Sequence, residues 1–237
     1  MPNTLYKVWA WGPPVSSGVT DACHVGVTAV AKKSSADSPY IVANEVVCNA
    51  IARCLFLPCP PGALVDRNGE PWFISLNFNM AGQSLPPADA NSVATMFPRL
   101  SWGIILFDAL MMNGDRHDEN ISFDTSSNKV QIFDHSHAFV QDGGDISAFL
   151  AANEHNIHIH AHCLAQEISE FDGLDFWLAR IRQIPDYFIE ETIEAAATVG
   201  LPPAHKAECV DFFKRRRTDL DRIVRSHMGH FPRLPSV

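Results

Sequence analysis

Apolar and polar residues alternate over residues 5–11 and again over 24–33 (HVGVTAVAKK), the two-residue period of strands with one covered face. GPPVSSGVTDAC between them is rich in small and turn-forming residues and predicts a loop. Ser38-Pro39 reads as a helix start, with Ser as N-cap and Pro at the first helical position. YIVANEVVCNAIARCLFL follows, with apolar residues at 42, 46, 47, 50, 51 and 55, a helical stripe ending before Pro58. GALV and PWFISLNF flank DRNGE, where Asn68-Gly69 is a hairpin signal. From Asp89 to Met112 the period turns helical, interrupted at Pro98. RLSWGIILFDALMM is apolar nearly all round, which predicts a helix buried on every side. A second hairpin is predicted over 120–124 and 129–134. Beyond Gly144 the chain is mostly helical, with amphipathic stretches near 164–170, 174–183, 186–198 and 206–226.

This order predicts an α+β fold. Strands with one helix form a small lobe over residues 1–80, and a mainly helical larger lobe fills 81–237. A chain of 237 residues suits one two-lobed domain or two small ones, and 46% hydrophobic residues is ample for a core. The apolar run at 104–112 is far too short to span a bilayer, and the N-terminus lacks the pattern of a signal peptide. The expectation is a cytoplasmic protein with no membrane partner. Six cysteines without a C-x-x-C pair predict free thiols. A net charge of −9 argues against nucleic acid as a partner. The basic run KRRR at 214–217 is read as a solvated helix face, with a patch for an anionic partner as the alternative.

Candidate chemistry concentrates in NGDRHDENISFDTSSNKVQIFDHSHAF, residues 113–139. The predicted hairpin brings Asn120 and Asp134 to one end despite their separation. An amide oxygen and a carboxylate there suit Mg²⁺, a hard cation that keeps waters and phosphate oxygens as further ligands. Asp115, just upstream, is placed to orient or deprotonate a nucleophile. His117 is a second candidate base, because imidazole titrates in the useful range. The D-x-x-x-x-N spacing followed by a hairpin and an aspartate matches the core of phosphotransferases, where positioning and charge cancellation carry the rate.

N-G-D-R-H-D-E-N-I with F-D-H-S-H-A-F resembles the G-D-R-H-x-x-N and D-H/D-F-G segments of phosphatidylinositol 3- and 4-kinases, and the N-x-D-x-H-x-x-N segment of the HipA-like kinases. The shortness of the chain makes a stand-alone HipA-like kinase the closer match, over roughly residues 12 to 140. The resemblance implies a two-lobed protein-kinase-like fold that uses ATP and Mg²⁺ on a hydroxyl acceptor, a protein Ser or Thr. It implies a phosphate-contacting lysine in VAKK, Lys32 or Lys33, with Lys32 favoured by the V-A-K order. It further implies that Glu45 pairs with that lysine, that Leu76 and Phe78 lie near the adenine, and that Asn120 and Asp134 hold the metal. The phosphate loop departs from G-x-G-x-x-G. Ser16, Ser17 and Gly18 stand in its place, resembling the short Ser/Gly loops of HipA-like proteins, with the serines as candidate autophosphorylation sites. A nucleotide-binding pseudokinase, a lipid or small-molecule kinase, and a metal-dependent hydrolase built on the histidines at 155–162 are the alternatives.

Overall fold

The computed structural model describes residues 8–16, 22–76, 87–124, 128–140 and 144–235. β1 (Val8–Pro14) pairs antiparallel with β2 (Cys23–Val27) as a two-stranded ribbon. β3 (Ala29–Lys32) follows after the single residue Thr28 and belongs to a different sheet. The strand predicted over 24–33 is therefore two strands. The period-two pattern runs through both and carries no mark of the partner change, since β2 bonds to β1 and β3 to β5.

α1 (Ile41–Cys54) begins later than predicted. Tyr40 holds the N-cap position without a side-chain cap bond, and it is Ser34 Oγ that accepts from Val42 N–H at 3.2 Å. Ser38 donates its N–H to Ser35 Oγ in the preceding turn. β4 (Gly62–Arg67) and β5 (Glu70–Leu76) form the predicted hairpin. Asn68 and Gly69 take left-handed angles (φ 59° and 82°), as a two-residue reversal requires. With β3 they give an antiparallel sheet of order β3-β5-β4 against which α1 packs.

α2 (Ala90–Met96) and α3 (Pro98–Met111) meet at a sharp bend at Phe97, where Pro98 opens the second helix. α3 is buried continuously from Ser101 to Met111, as its all-round apolarity predicts. Gly103 makes this possible on one side: a Cβ there would meet the Trp177 ring at 2.4 Å. β6 (Ile121–Asp124) and β7 (Lys129–Ile132) pair from Ile121↔Ile132 to Asp124↔Lys129. Then come α4 (Ile146–Ala152), α5 (Cys163–Glu167), α6 (Leu174–Arg182), α7 (Asp186–Ala197) and α8 (Lys206–Ser226). One apolar core runs from α1 through α3 to α8. The protein is thus a two-lobed α+β fold with small antiparallel sheets and a mainly helical part. Among the described residues no single helix is long and apolar enough to cross a membrane.

The basic run on α8 divides, contrary to its reading as one solvated face. Arg215 stays exposed and pairs with Glu154, but Arg216 is only 1% exposed. Arg216 donates to the carbonyls of Ala109, Leu110, Asn153 and Glu154, taking up orphan acceptors in the last turn of α3. Burial pulls its pKa down to about 10, partly countered by Glu154, so it stays charged at neutral pH. Arg216→Lys keeps the charge and loses the fork. It is expected to cost about 1–3 kcal/mol in urea unfolding, whereas Arg215→Lys stays within about 0.5 kcal/mol.

Candidate active site

Strand geometry distinguishes the two lysines. Successive side chains on a strand point to opposite faces, and Lys32 closes β3 opposite Phe73. Lys32 Nζ lies 2.6 Å from Glu45 Oε1, 2.7 Å from Asp134 Oδ1 and 3.2 Å from Ser136 Oγ. Lys33 sits outside this group, 3.4 Å from Glu70 and 5.4 Å from the Trp72 ring centroid. The structure therefore brings Lys32, Glu45 and Asp134 together from a strand, a helix and the end of a hairpin.

Charges sustain one another here. Burial alone would raise the Glu45 pKa, yet His135 and the Lys32 ammonium outweigh it and hold it down at about 2. Asp134 is likewise held below the usual carboxylate range by Lys32 despite burial. Lys32 is raised by both carboxylates against its own burial. All three are ionised at neutral pH. Asp134 has φ 58°, a left-handed conformation uncommon outside glycine and found more often at functional sites.

The second group lies in the turn before β6. Asn120 closes a short 3-10 turn (Asp118–Asn120), and its Nδ2 sits 2.9 Å from Asp115 O, 3.3 Å from Asp115 Oδ2 and 3.1 Å from His117 Nε2. The amide nitrogen is thereby committed to its own loop, which leaves Oδ1 as the atom fit to serve a cation. His117 faces N–H groups at both ring nitrogens, since Nδ1 is 3.2 Å from Glu119 N. The side chains of Asp115 and His117 are each about half exposed, 48%.

The two groups are tied together by a buried network that pattern analysis leaves unseen. Arg116 is fully buried. Its Nε and Nη2 donate to Asp108 at 2.9 and 3.0 Å, and its Nη1 donates to the carbonyls of Asn120 and Phe133. One guanidinium therefore fixes the loop carrying Asp115 and Asn120 and the strand end leading to Asp134. Phe133 N–H also donates to Asn120 O at 3.3 Å, so both candidate metal ligands stand at the same end of the hairpin. Asp108 accepts further bonds from Asn113 Nδ2 (2.7 Å) and His162 Nε2 (3.0 Å). Burial would raise its pKa, but Arg116 and His162 hold it well below the usual range.

Arg116 thus has its carboxylate partner in Asp108. A lone Asp inside an otherwise apolar helix is itself a signal, because a buried charge needs a partner. Ser136 and Asn44, to which the sequence pattern assigns no role, also touch the site. Ser136 Oγ donates to Glu45 Oε1 at 3.2 Å, and Asn44 is bonded to the backbone of the same segment. Three of the four histidines at 155–162 have separate partners: His155 near Arg222, His158 with Asn153, His162 with Asp108. Among the described residues no group of three His, Cys, Asp or Glu side chains is placed to hold a metal ion. All six cysteines are free thiols. Ser16 is exposed at the end of the described part of its loop, and Leu76 is half-buried as the last residue of β5. Ser17, Gly18 and Phe78 lie outside the described residues.

No protein-family model matches the chain, and no curated protein is significantly similar in sequence. Among solved structures, the Helicobacter pylori proinflammatory kinase CtkA is similar over 95% of this chain and 97% of its own, with a TM-score of 0.56 and 15% identity. At that identity the likeness is one of fold: the chain has a kinase-like fold.

Proposed function

We propose that this chain is an ATP- and Mg²⁺-dependent kinase of the HipA-like type, acting on a serine or threonine hydroxyl of a protein, its own chain included. The observation that carries the proposal is the convergence of Lys32, Glu45 and Asp134 within 2.7 Å contacts, at the same hairpin end as Asn120. The nucleotide lies between a small lobe over 1–80 and a larger lobe over 81–237. Lys32 holds its phosphates and Glu45 holds Lys32; Ser16, Ser17 and Gly18 are assigned to phosphate binding and Leu76 and Phe78 to base binding.

Asn120 and Asp134 are the residues that would hold Mg²⁺. The fit is chemical: an amide oxygen freed by its committed nitrogen, and an anionic carboxylate now neutralised by Lys32. Bound there, the ion would supply cancellation of the charge that builds on the transferring phosphoryl oxygens. The acceptor oxygen forms a bond to the γ-phosphorus as the bond to the β,γ-bridging oxygen breaks, and ADP leaves. Asp115 takes or directs the acceptor proton. His117 is the weaker candidate for that role, because a neutral imidazole has one acceptor nitrogen and Glu119 N–H and Asn120 Nδ2 both compete for it. His117 steadies the loop. Free thiols suit a cytoplasmic setting.

The proposal is tested by incubating the protein with Mg·ATP, measuring ADP release and mapping new phosphosites by mass spectrometry. Turnover with phosphoserine or phosphothreonine supports it; nucleotide binding without turnover makes the chain a pseudokinase. Lys32→Ala is expected to lower turnover on the order of 10²-fold, since it removes a fixed charge from the phosphate site. Lys33→Ala, which loses one exposed ion pair worth less than about 1 kcal/mol, leaves turnover unchanged.

A further inference from the structure

Asn44 and Glu45 are consecutive residues of α1, and both bind the segment that follows β7. Glu45 Oε1 accepts from His135 N–H at 3.0 Å and from Ser136 Oγ at 3.2 Å. Asn44, 1% exposed, donates through Nδ2 to the carbonyls of Ser136 and Val140, both at 2.8 Å, and its Oδ1 accepts from Val140 N–H at 3.2 Å. Three of the four bonds an amide side chain can make thus go to one stretch of backbone. The far side of the segment is fixed to the larger lobe. Phe139 N–H donates to Met111 O at the end of α3 at 2.6 Å, and the Phe139 ring packs edge-on against Phe213 of α8. Moving α1 away from Asp134 would strip these bonds from buried backbone groups that have no water to replace them.

We propose that Asn44 is a positioning residue that fastens the Asp134 segment to α1, so that the cleft stands assembled in the resting chain. Lys32, Glu45 and Asp134 then meet without a separate ordering step such as a modification or a partner. This rests on the kinase reading of the site, and the segment is of the kind that in other proteins switches between ordered and disordered states.

The test has two arms. In the first, amide hydrogen exchange is followed on nucleotide-free wild-type protein. The amides of His135 and Val140 are expected to be as protected as those of Cys48 and Ile51 in the middle of α1. Exchange at loop rates would overturn the fastening. In the second arm, Asn44→Asp keeps the acceptor and loses both donated bonds, and Asn44→Ala loses all three. Both are expected to leave metal-free ATP affinity unchanged and to raise the Mg²⁺ concentration for half-maximal turnover about tenfold, the usual cost of losing a group that orients a metal ligand. A lowered melting temperature with the Mg²⁺ half-point unmoved would make Asn44 merely structural and overturn the proposal. Wild-type protein that binds no Mg·ATP removes the kinase reading and the positioning role with it. Fast exchange at His135 and Val140 in protein that does bind Mg·ATP removes the fastening alone.

Discussion

Asp134→Asn is expected to lower phosphoryl transfer on the order of 10³-fold while the chain stays folded. The substitution preserves shape and removes only the negative charge, and that charge does two things. It pairs with Lys32 at 2.7 Å, and in the proposed site it would be the anionic half of the oxygen pair with Asn120. An amide in its place offers the cation a weaker ligand and leaves the Lys32 ammonium balanced by Glu45 alone. The left-handed backbone at residue 134 tolerates Asn as readily as Asp, so no new strain confounds the comparison. ADP release in a coupled assay, beside the denaturant midpoint of the same protein, separates lost chemistry from lost fold. Turnover within about tenfold of wild type would show that this carboxylate is not the metal ligand.

Asp108→Ala carries the largest expected effect on stability. It leaves a fully buried guanidinium without its carboxylate, and it also strips partners from Asn113 and His162. Breaking a buried pair by removing one member costs about 3–5 kcal/mol, which for a chain of this length lowers the melting temperature by roughly 10 °C. The effect on activity follows from the same contacts. Arg116 holds the carbonyls of Asn120 and Phe133, so loosening it lets the segments that carry Asn120 and Asp134 drift apart even in the folded fraction. Asp108→Asn, which keeps part of the hydrogen bonding, is expected to fall between Ala and wild type. A cost under about 1 kcal/mol for the alanine variant would mean that the network does not bear on the fold.

Much of this architecture was legible because it is local. The 3.6-residue stripes located α1, α3 and α6 to α8, and Asn68-Gly69 marked its hairpin because the turn needs positive φ. The D-x-x-x-x-N spacing and the hairpin placed Asp115, Asn120 and Asp134 at one end of a pair of strands. What stayed hidden depends on partners far apart in the chain. Thr28 divides β2 from β3 with no change in hydrophobic period, since only the identity of the neighbouring strand differs. Asn44 looks like an ordinary helix residue until its contacts with Ser136 and Val140 are known, and Arg216 looks like one of four solvated cations. The lysine register lay between, since the V-A-K order favoured Lys32 and the ion pairs placed it.

The most direct measurement is thermal unfolding with and without Mg·ATP, for wild type and Asp134→Asn. A ligand at one hundred times its dissociation constant stabilises the native state by about 2.7 kcal/mol. For this chain length that predicts a rise of roughly 5–10 °C in the wild type. The rise is expected to need Mg²⁺ and to be lost or much reduced in Asp134→Asn. No shift at millimolar nucleotide, or an equal shift in the variant or in the presence of EDTA, would contradict the assignment of nucleotide and metal to this cleft.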